Sequence, residues 1–149
     1  MYKYNKRKME IFLEIEPKAF SNPYDYNPHS KDKRSVVHKR PKYESYVNDL
    51  KYLAMSEKNK KRGLQRFLSA PIYAQVSYRF KVPKYLQKNF DSSSKLYKIT
   101  TPDLTDNLNK PVFDALKGLF FQDDNAISKF SAEKIYSLEP GIHIVLKEM

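Results

Sequence analysis

Two hydrophobic periods succeed each other along the chain. Met9, Ile11, Leu13 and Ile15 alternate with Glu10, Glu14 and Glu16, which predicts a half-buried strand over Met9–Glu16 ended by Pro17. Tyr43, Tyr46, Val47, Leu50, Leu53 and Ala54 then recur at helical spacing and predict an amphipathic helix. Pro41 stands just ahead, where a helix start tolerates proline, and Gly63 is a possible stop. Alternation returns with Ile72, Ala74, Val76, Tyr78 and Phe80 against Tyr73, Gln75, Ser77, Arg79 and Lys81, a second strand with a basic outer face that Pro83 closes. Leu108, Val112, Ala115, Leu116 and Leu119 make a second helical stripe, ending at Gly118. A third strand over Ala126–Ser137 follows. Glu139-Pro140-Gly141 then turns the chain into a last strand, where Ile142, Ile144 and Leu146 alternate with His143, Val145 and Lys147. The order β-α-β-α-β-β predicts an α+β fold: one domain over residues 1–149, with a single mixed sheet and two helices. There is no internal repeat.

The stretches between these elements carry much of the charge. Residues 1–8 read as a basic tail. Residues 17–42 hold Pro17, Pro23, Pro28 and Pro41 beside Lys31, Lys33, Arg34, His38, Lys39 and Arg40, without periodicity. They predict a long loop, either a DNA-contacting arm or a solvated segment. Residues 84–100, with Asp91-Ser92-Ser93-Ser94-Lys95, predict an exposed excursion. Lys58-Asn59-Lys60-Lys61-Arg62 sits where the helix dipole favours cations, and that explanation is simpler than phosphate binding.

Composition adds a partner class. The 149 residues include 28 Lys and Arg against 17 Asp and Glu, a formal charge of +11, which points to a polyanion, most often nucleic acid. The 12 tyrosines and 9 phenylalanines could stack on bases, although most such rings belong to cores and strands. With no cysteine, disulfides and thiolate metal sites are excluded, which fits a reducing cytoplasm. No apolar run approaches the roughly 20 residues of a membrane helix, and the basic N-terminus lacks the apolar stretch of a signal peptide. His29, His38 and His143 show no metal-ligand spacing, and no Ser/His pair or phosphate-cradling glycine loop is present.

Against this basic background, five aspartates fall within 22 positions: Asp103, Asp106, Asp114, Asp123 and Asp124. Bound Mg²⁺ gives such a cluster a use on an anionic phosphodiester, because carboxylates hold the ion while the ion binds phosphate and polarises water. Asp103, Asp106 and one of Asp123 or Asp124 could supply hard oxygen ligands. The return from Gly118 to Asp123 is long enough to bring Asp124 back near Asp106. Lys110 follows Asp106 by four residues. Within a helix that spacing would place both on one face, where the lysine could hold a carboxylate or stabilise charge on a scissile phosphate. A plain surface ion pair, and acids that serve only the helix dipole, account for the same residues.

The run Asp106-Asn107-Leu108-x-Lys110-x-x-Phe113-Asp114-Ala115-Leu116, followed by Phe121-x-Asp123-Asp124, resembles the signature of the RusA family of Holliday-junction resolvases. That signature is Asp-x-Asp-Asn-Leu-x-Lys, then Asp-Ala-Leu, then a hydrophobic residue and Asp-Asp. The resemblance implies a RusA-like fold and a cytoplasmic homodimer of bacterial or phage origin. Such a dimer binds four-way DNA junctions and cuts two strands symmetrically with Mg²⁺ (Mn²⁺ a substitute) in recombination and repair. It implies Asp106 and Asp124 as catalytic acids, Lys110 as the essential lysine, Asp123 as a neighbouring ligand and Asp103 as the first acid. Two features depart from the pattern. Thr105 makes the spacing from Asp103 to Asp106 one residue longer, which in a strand would turn Asp103 away unless a bulge restored it. Pro111 fits only a first helical turn, so the helix should start near Asn107–Lys110. Asp114 reads as structural. The alternatives are a branched-DNA or RNA binding protein with a degenerate site, and a basic structural protein whose acids only cap a helix.

Overall fold

The computed structural model describes residues 6–20, 24–26, 37–39, 41–61, 71–105 and 107–149. The elements are β1 (Lys8–Leu13), β2 (Tyr24–Tyr26), β3 (Val37–Lys39), α1 (Pro41–Lys60), β4 (Ile72–Lys81), α2 (Lys84–Gln87), α3 (Asn109–Leu116), a 3₁₀ turn (Asp124–Ala126), β5 (Ile127–Ser137) and β6 (Gly141–Glu148). The architecture is the α+β one expected, built on one mixed sheet of order β1-β6-β4-β5. β4 and β5 run parallel, and the other two pairs are antiparallel. The parallel pair requires a crossover, and residues 82–126 make it, carrying α3 and the aspartates.

The period-two residues are the core. Met9, Ile11 and Leu13, Ile72, Ala74, Val76, Tyr78 and Phe80, and Ile142, Ile144 and Leu146 are all buried on one face of the sheet. α1 lays Tyr43, Tyr46, Val47, Leu50 and Ala54 on the same core. α3 adds Pro111, Val112, Ala115 and Leu116 and packs against α1. Pro111 is the third helical residue, so its missing N–H removes no intrahelical bond. The helix therefore begins at Asn109, inside the interval that this proline predicts.

Several sequence expectations change. The first strand spans Lys8–Leu13 rather than Met9–Glu16: Ile15 N donates to Leu13 O at 2.9 Å, which turns the chain out of the ladder. Lys8 and Arg7 are thus not free tail, since Arg7 O accepts from Glu148 N at 2.9 Å. The 17–42 stretch is not wholly loop, because β2 and β3 pair antiparallel within it. Three-residue strands are too short to display an alternation. Ahead of them, residues 16–20 are fixed on α1: Tyr46 OH donates to Glu16 O at 3.0 Å and accepts from Lys18 N at 3.1 Å, and the Phe20 ring packs edge-on to Tyr43. In the 84–100 excursion, α2 forms and Tyr97 bridges to Ile135 at the edge of β5. The cations at the end of α1 reach other elements rather than only their own helix end. Lys58 Nζ donates to Leu119 O at 2.8 Å, and Lys61 Nζ donates to Glu10 O. Gly63 lies outside the described residues, as do Lys31, Lys33, Arg34 and Arg40 of the 17–42 stretch.

Candidate active site

The site is built from three segments that the fold brings to one end of the sheet. Tyr78, fully buried in the middle of β4, supplies the anchor. Its hydroxyl lies 2.7 Å from Asn109 Oδ1 and 3.1 Å from Leu108 O. Burial holds this phenol well above its ordinary value, with the Tyr46 phenol adding to the shift, so it stays a donor at any physiological pH. Asn109 Nδ2 donates in turn to Leu104 O at 3.1 Å, tying the preceding turn to the helix start. A second tie comes from β5, where Lys134 Nζ donates to Thr100 O at 2.7 Å and Pro102 O at 2.6 Å. Buried β4 and the outer strand β5 thus fix the segment that leads into the aspartate motif.

On the outward face of α3 lie Lys110, Phe113 and Asp114. Lys110 Nζ is 3.7 Å from Asp114 Oδ1, an i,i+4 pair, and the Tyr43 hydroxyl donates to Asp114 Oδ2. Asp114 is therefore gripped from both sides, and its side chain is only 16% exposed against 48% for Lys110. These residues line an open cavity of about 400 Å³ together with Thr105, Asn109, Asp124, Ile127 and Phe130. The lining combines the lysine and two carboxylates with an aromatic pair, Phe113 and Phe130, edge-to-face at 5.4 Å between centroids.

The sequence-predicted residues are not all gathered there. Lys110 and Asp124 line the cavity; Asp124 is exposed, and its carboxylate forms no ion pair among the described residues. Asp123 is engaged elsewhere. One oxygen caps the 3₁₀ turn by accepting from Asn125 N at 3.1 Å, and the other lies 4.0 Å from Lys117 Nζ. Asp103 is exposed and outside the cavity lining. It sits in irregular chain after the cis Thr101–Pro102 bond, so the strand-register argument about Thr105 does not apply to it. Asp106 lies outside the described residues. Lys110 finds a helical i,i+4 partner in Asp114.

Asp114, read from sequence as structural, is held by Tyr43 and Lys110 and also lines the cavity. The signal was present in its i,i+4 spacing from Lys110. Phe130 and Tyr43 gave no such signal, since their roles depend on tertiary contacts. No group of three His, Cys, Asp or Glu residues that could hold a metal is present among the described residues.

An α+β domain with a carboxylate-and-lysine cavity at one end of a mixed sheet is the class of molecule so defined. Residues 14–147 match the family model described as Endodeoxyribonuclease RusA, and the chain belongs to that family. The chain is also 28% identical over 90 residues to the uncharacterized protein YqaN of Bacillus subtilis (strain 168); the match covers 57% of this chain and 63% of that protein's length. No described helix is long and apolar enough to cross a membrane.

Proposed function

We propose that this chain is a divalent-metal-dependent endodeoxyribonuclease that resolves four-way DNA junctions by paired, symmetric cuts, acting as a cytoplasmic homodimer in recombination and repair. One observation carries the reading: in a RusA-family chain, the fold brings Lys110 and Asp124, 14 residues apart in sequence, to the lining of one open cavity. The donor chemistry suits a hard cation, since Asp124 offers an uncommitted carboxylate there. Mg²⁺, or Mn²⁺ in its place, would be held by Asp124 and Asp106, with Asp103 and Asp123 at the margin, and would polarise the scissile phosphate and activate the attacking water.

The chain's own groups do the remainder. The Lys110 ammonium, half-exposed at the cavity, meets the charge that develops on phosphate oxygens. Asp114 is a positioning residue, which holds Lys110 through Oδ1 while Tyr43 fixes Oδ2. The Phe113–Phe130 pair offers an apolar surface to a sugar or base beside the cut. Asp106→Asn and Asp124→Asn should each bind a synthetic four-way junction and leave it uncut in Mg²⁺. Cutting at the wild-type rate by either variant removes its residue from the proposed metal site.

The position of Asp103 favours a second reading, a branched-DNA or RNA binding protein with a degenerate site. Tight junction binding without product in any divalent ion would select it.

A further inference from the structure

The sheet has a second face, directed away from the helices, and its strand registers stack side chains into rungs. Lys8 pairs with Lys147, Lys147 with Tyr73, and Tyr73 with Lys129, so one rung reads Lys8–Lys147–Tyr73–Lys129 across all four strands. The next reads Glu10–Val145–Gln75–Ser131, and the third Phe12–His143–Ser77–Glu133. Like charges directly opposite each other destabilise a sheet, yet Lys8 and Lys147 are register partners, and Lys129 joins them two strands away.

The acids on this face leave two of the three lysines of the row unpaired among the described residues, and only Lys8 meets one. Glu133 is taken by Lys95 at 3.0 Å, and Glu10 is shared by His143 at 2.6 Å and Lys8 at 3.9 Å. Lys129 and Lys147 form no ion pair among the described residues. Both instead lie over the Tyr73 ring, at 4.6 and 5.9 Å from its centroid. The ring is held in place, with its hydroxyl 3.1 Å from Ser131 Oγ and accepting from Gln75 Nε2 at 3.1 Å. The Ser131 hydrogen bond first, then the Gln75 hydrogen bond and the two ammonium groups, pull the Tyr73 phenol below its ordinary value against the opposing effect of burial.

With strands about 4.8 Å apart, the row spans roughly 14 Å between its outer Cα atoms, against one phosphate per about 3.4 Å of axis on each DNA strand. It lies at the same end of the sheet as the cavity. Lys129 follows Asp124 by five residues, within about 17 Å of chain. We propose that the Lys8–Lys147–Tyr73–Lys129 row is a second contact surface for the sugar–phosphate backbone of a DNA duplex arm, on the face of the sheet opposite the cleavage cavity. This rests on the reading that the partner is DNA, but not on the chemistry of cutting.

The test compares the wild type, the triple variant Lys8→Gln/Lys129→Gln/Lys147→Gln and a charge-matched control, Lys81→Gln/Lys84→Gln/Lys88→Gln, at exposed positions beyond the row. Affinity for a linear duplex and for a four-way junction is measured against NaCl concentration. The triple variant should lose roughly 2 to 3 from the salt slope, near 0.9 per phosphate contact, while the control loses less than 1. An unchanged slope, or an equal loss in the control, overturns the proposal; the lysines would then merely cover the Tyr73 ring. The two readings fail separately: duplex binding that depends on the row without any cutting sinks the nuclease reading alone, and junction cutting together with duplex binding that does not depend on the row sinks this one alone.

Discussion

The Tyr78 hydroxyl meets Asn109 Oδ1 at 2.7 Å, joining the buried centre of the sheet to the first residue of the helix that carries Lys110. Asn109 spends its other side-chain group on Leu104 O, so this one contact controls both sides of the aspartate turn. Tyr78→Phe keeps the ring and removes the donor, leaving Asn109 Oδ1 and Leu108 O short of a partner. The expected cost is about 1–3 kcal/mol of stability in a urea titration. Junction cutting should fall roughly 10- to 100-fold through misplacement of Lys110, with junction affinity unchanged. A variant that loses stability and cuts normally would separate the anchor from the site.

The bond between Lys110 and Asp114 leads to a different outcome. As a half-exposed i,i+4 pair it contributes only about 0.3–0.5 kcal/mol, so its purpose is aim rather than stability. Asp114→Asn should lower the cutting rate roughly 10- to 100-fold, as loss of an orienting partner does at other sites. The Mg²⁺ concentration for half-maximal rate should stay the same, and the KM for junction should barely move. A weaker Mg²⁺ dependence would instead make Asp114 a ligand.

How far the sequence disclosed this follows from what each residue depends on. Strand and helix faces were legible because period is local: Ile72 through Phe80 and Val112, Ala115, Leu116 bury where their spacing predicts. Pro111 placed the helix start through its missing N–H alone. The strand pairing that sets Tyr73 between Lys147 and Lys129 was not legible, since register arises only when the strands meet. The site was half legible. Lys110 and Asp124 share a cavity, whereas Asp123, adjacent in sequence to Asp124, turns to cap its own 3₁₀ turn. A local hydrogen bond thereby separates two acids that a motif treats as a pair.

Two glycines are needed for opposite reasons. Gly118 follows α3 at φ +82°, with open space where a Cβ would stand, so Gly118→Ala suffers only backbone strain. About 1–2 kcal/mol is expected, less for Gly118→Asn, since asparagine tolerates the left-handed region. Gly141 shows no positive φ, but a Cβ there would meet the Phe12 ring at 2.3 Å and Leu13 O at 2.7 Å. Gly141→Ala should cost about 1–3 kcal/mol through overpacking. Shortening Phe12 to Leu in the same chain should recover part of that loss. The same Phe12 change should recover none of the Gly118→Ala loss, and thermal unfolding of the five variants reads both.

Stability at alkaline pH should report on Tyr46. Its hydroxyl donates to Glu16 O at 3.0 Å and accepts from Lys18 N at 3.1 Å, pinning residues 16–18 on α1. Burial pushes the phenol from 10.0 up to about 12, with Glu16 adding to the rise and the Lys18 amide opposing it. The folded state therefore keeps a proton that the unfolded chain has lost. This stabilisation is complete below pH 10 and drains away as pH rises to about 12, by something of the order of 2 kcal/mol. Other tyrosines and lysines titrate in the same window, so the informative quantity is the difference between the wild type and Tyr46→Phe. Measured by urea unfolding from pH 7 to 12, that difference should be constant up to about pH 10 and then shrink, because phenylalanine has no proton to lose. A difference that stays flat to pH 12 would mean that the phenol titrates alike in folded and unfolded chains, and that Glu16 and Lys18 do not hold it as described.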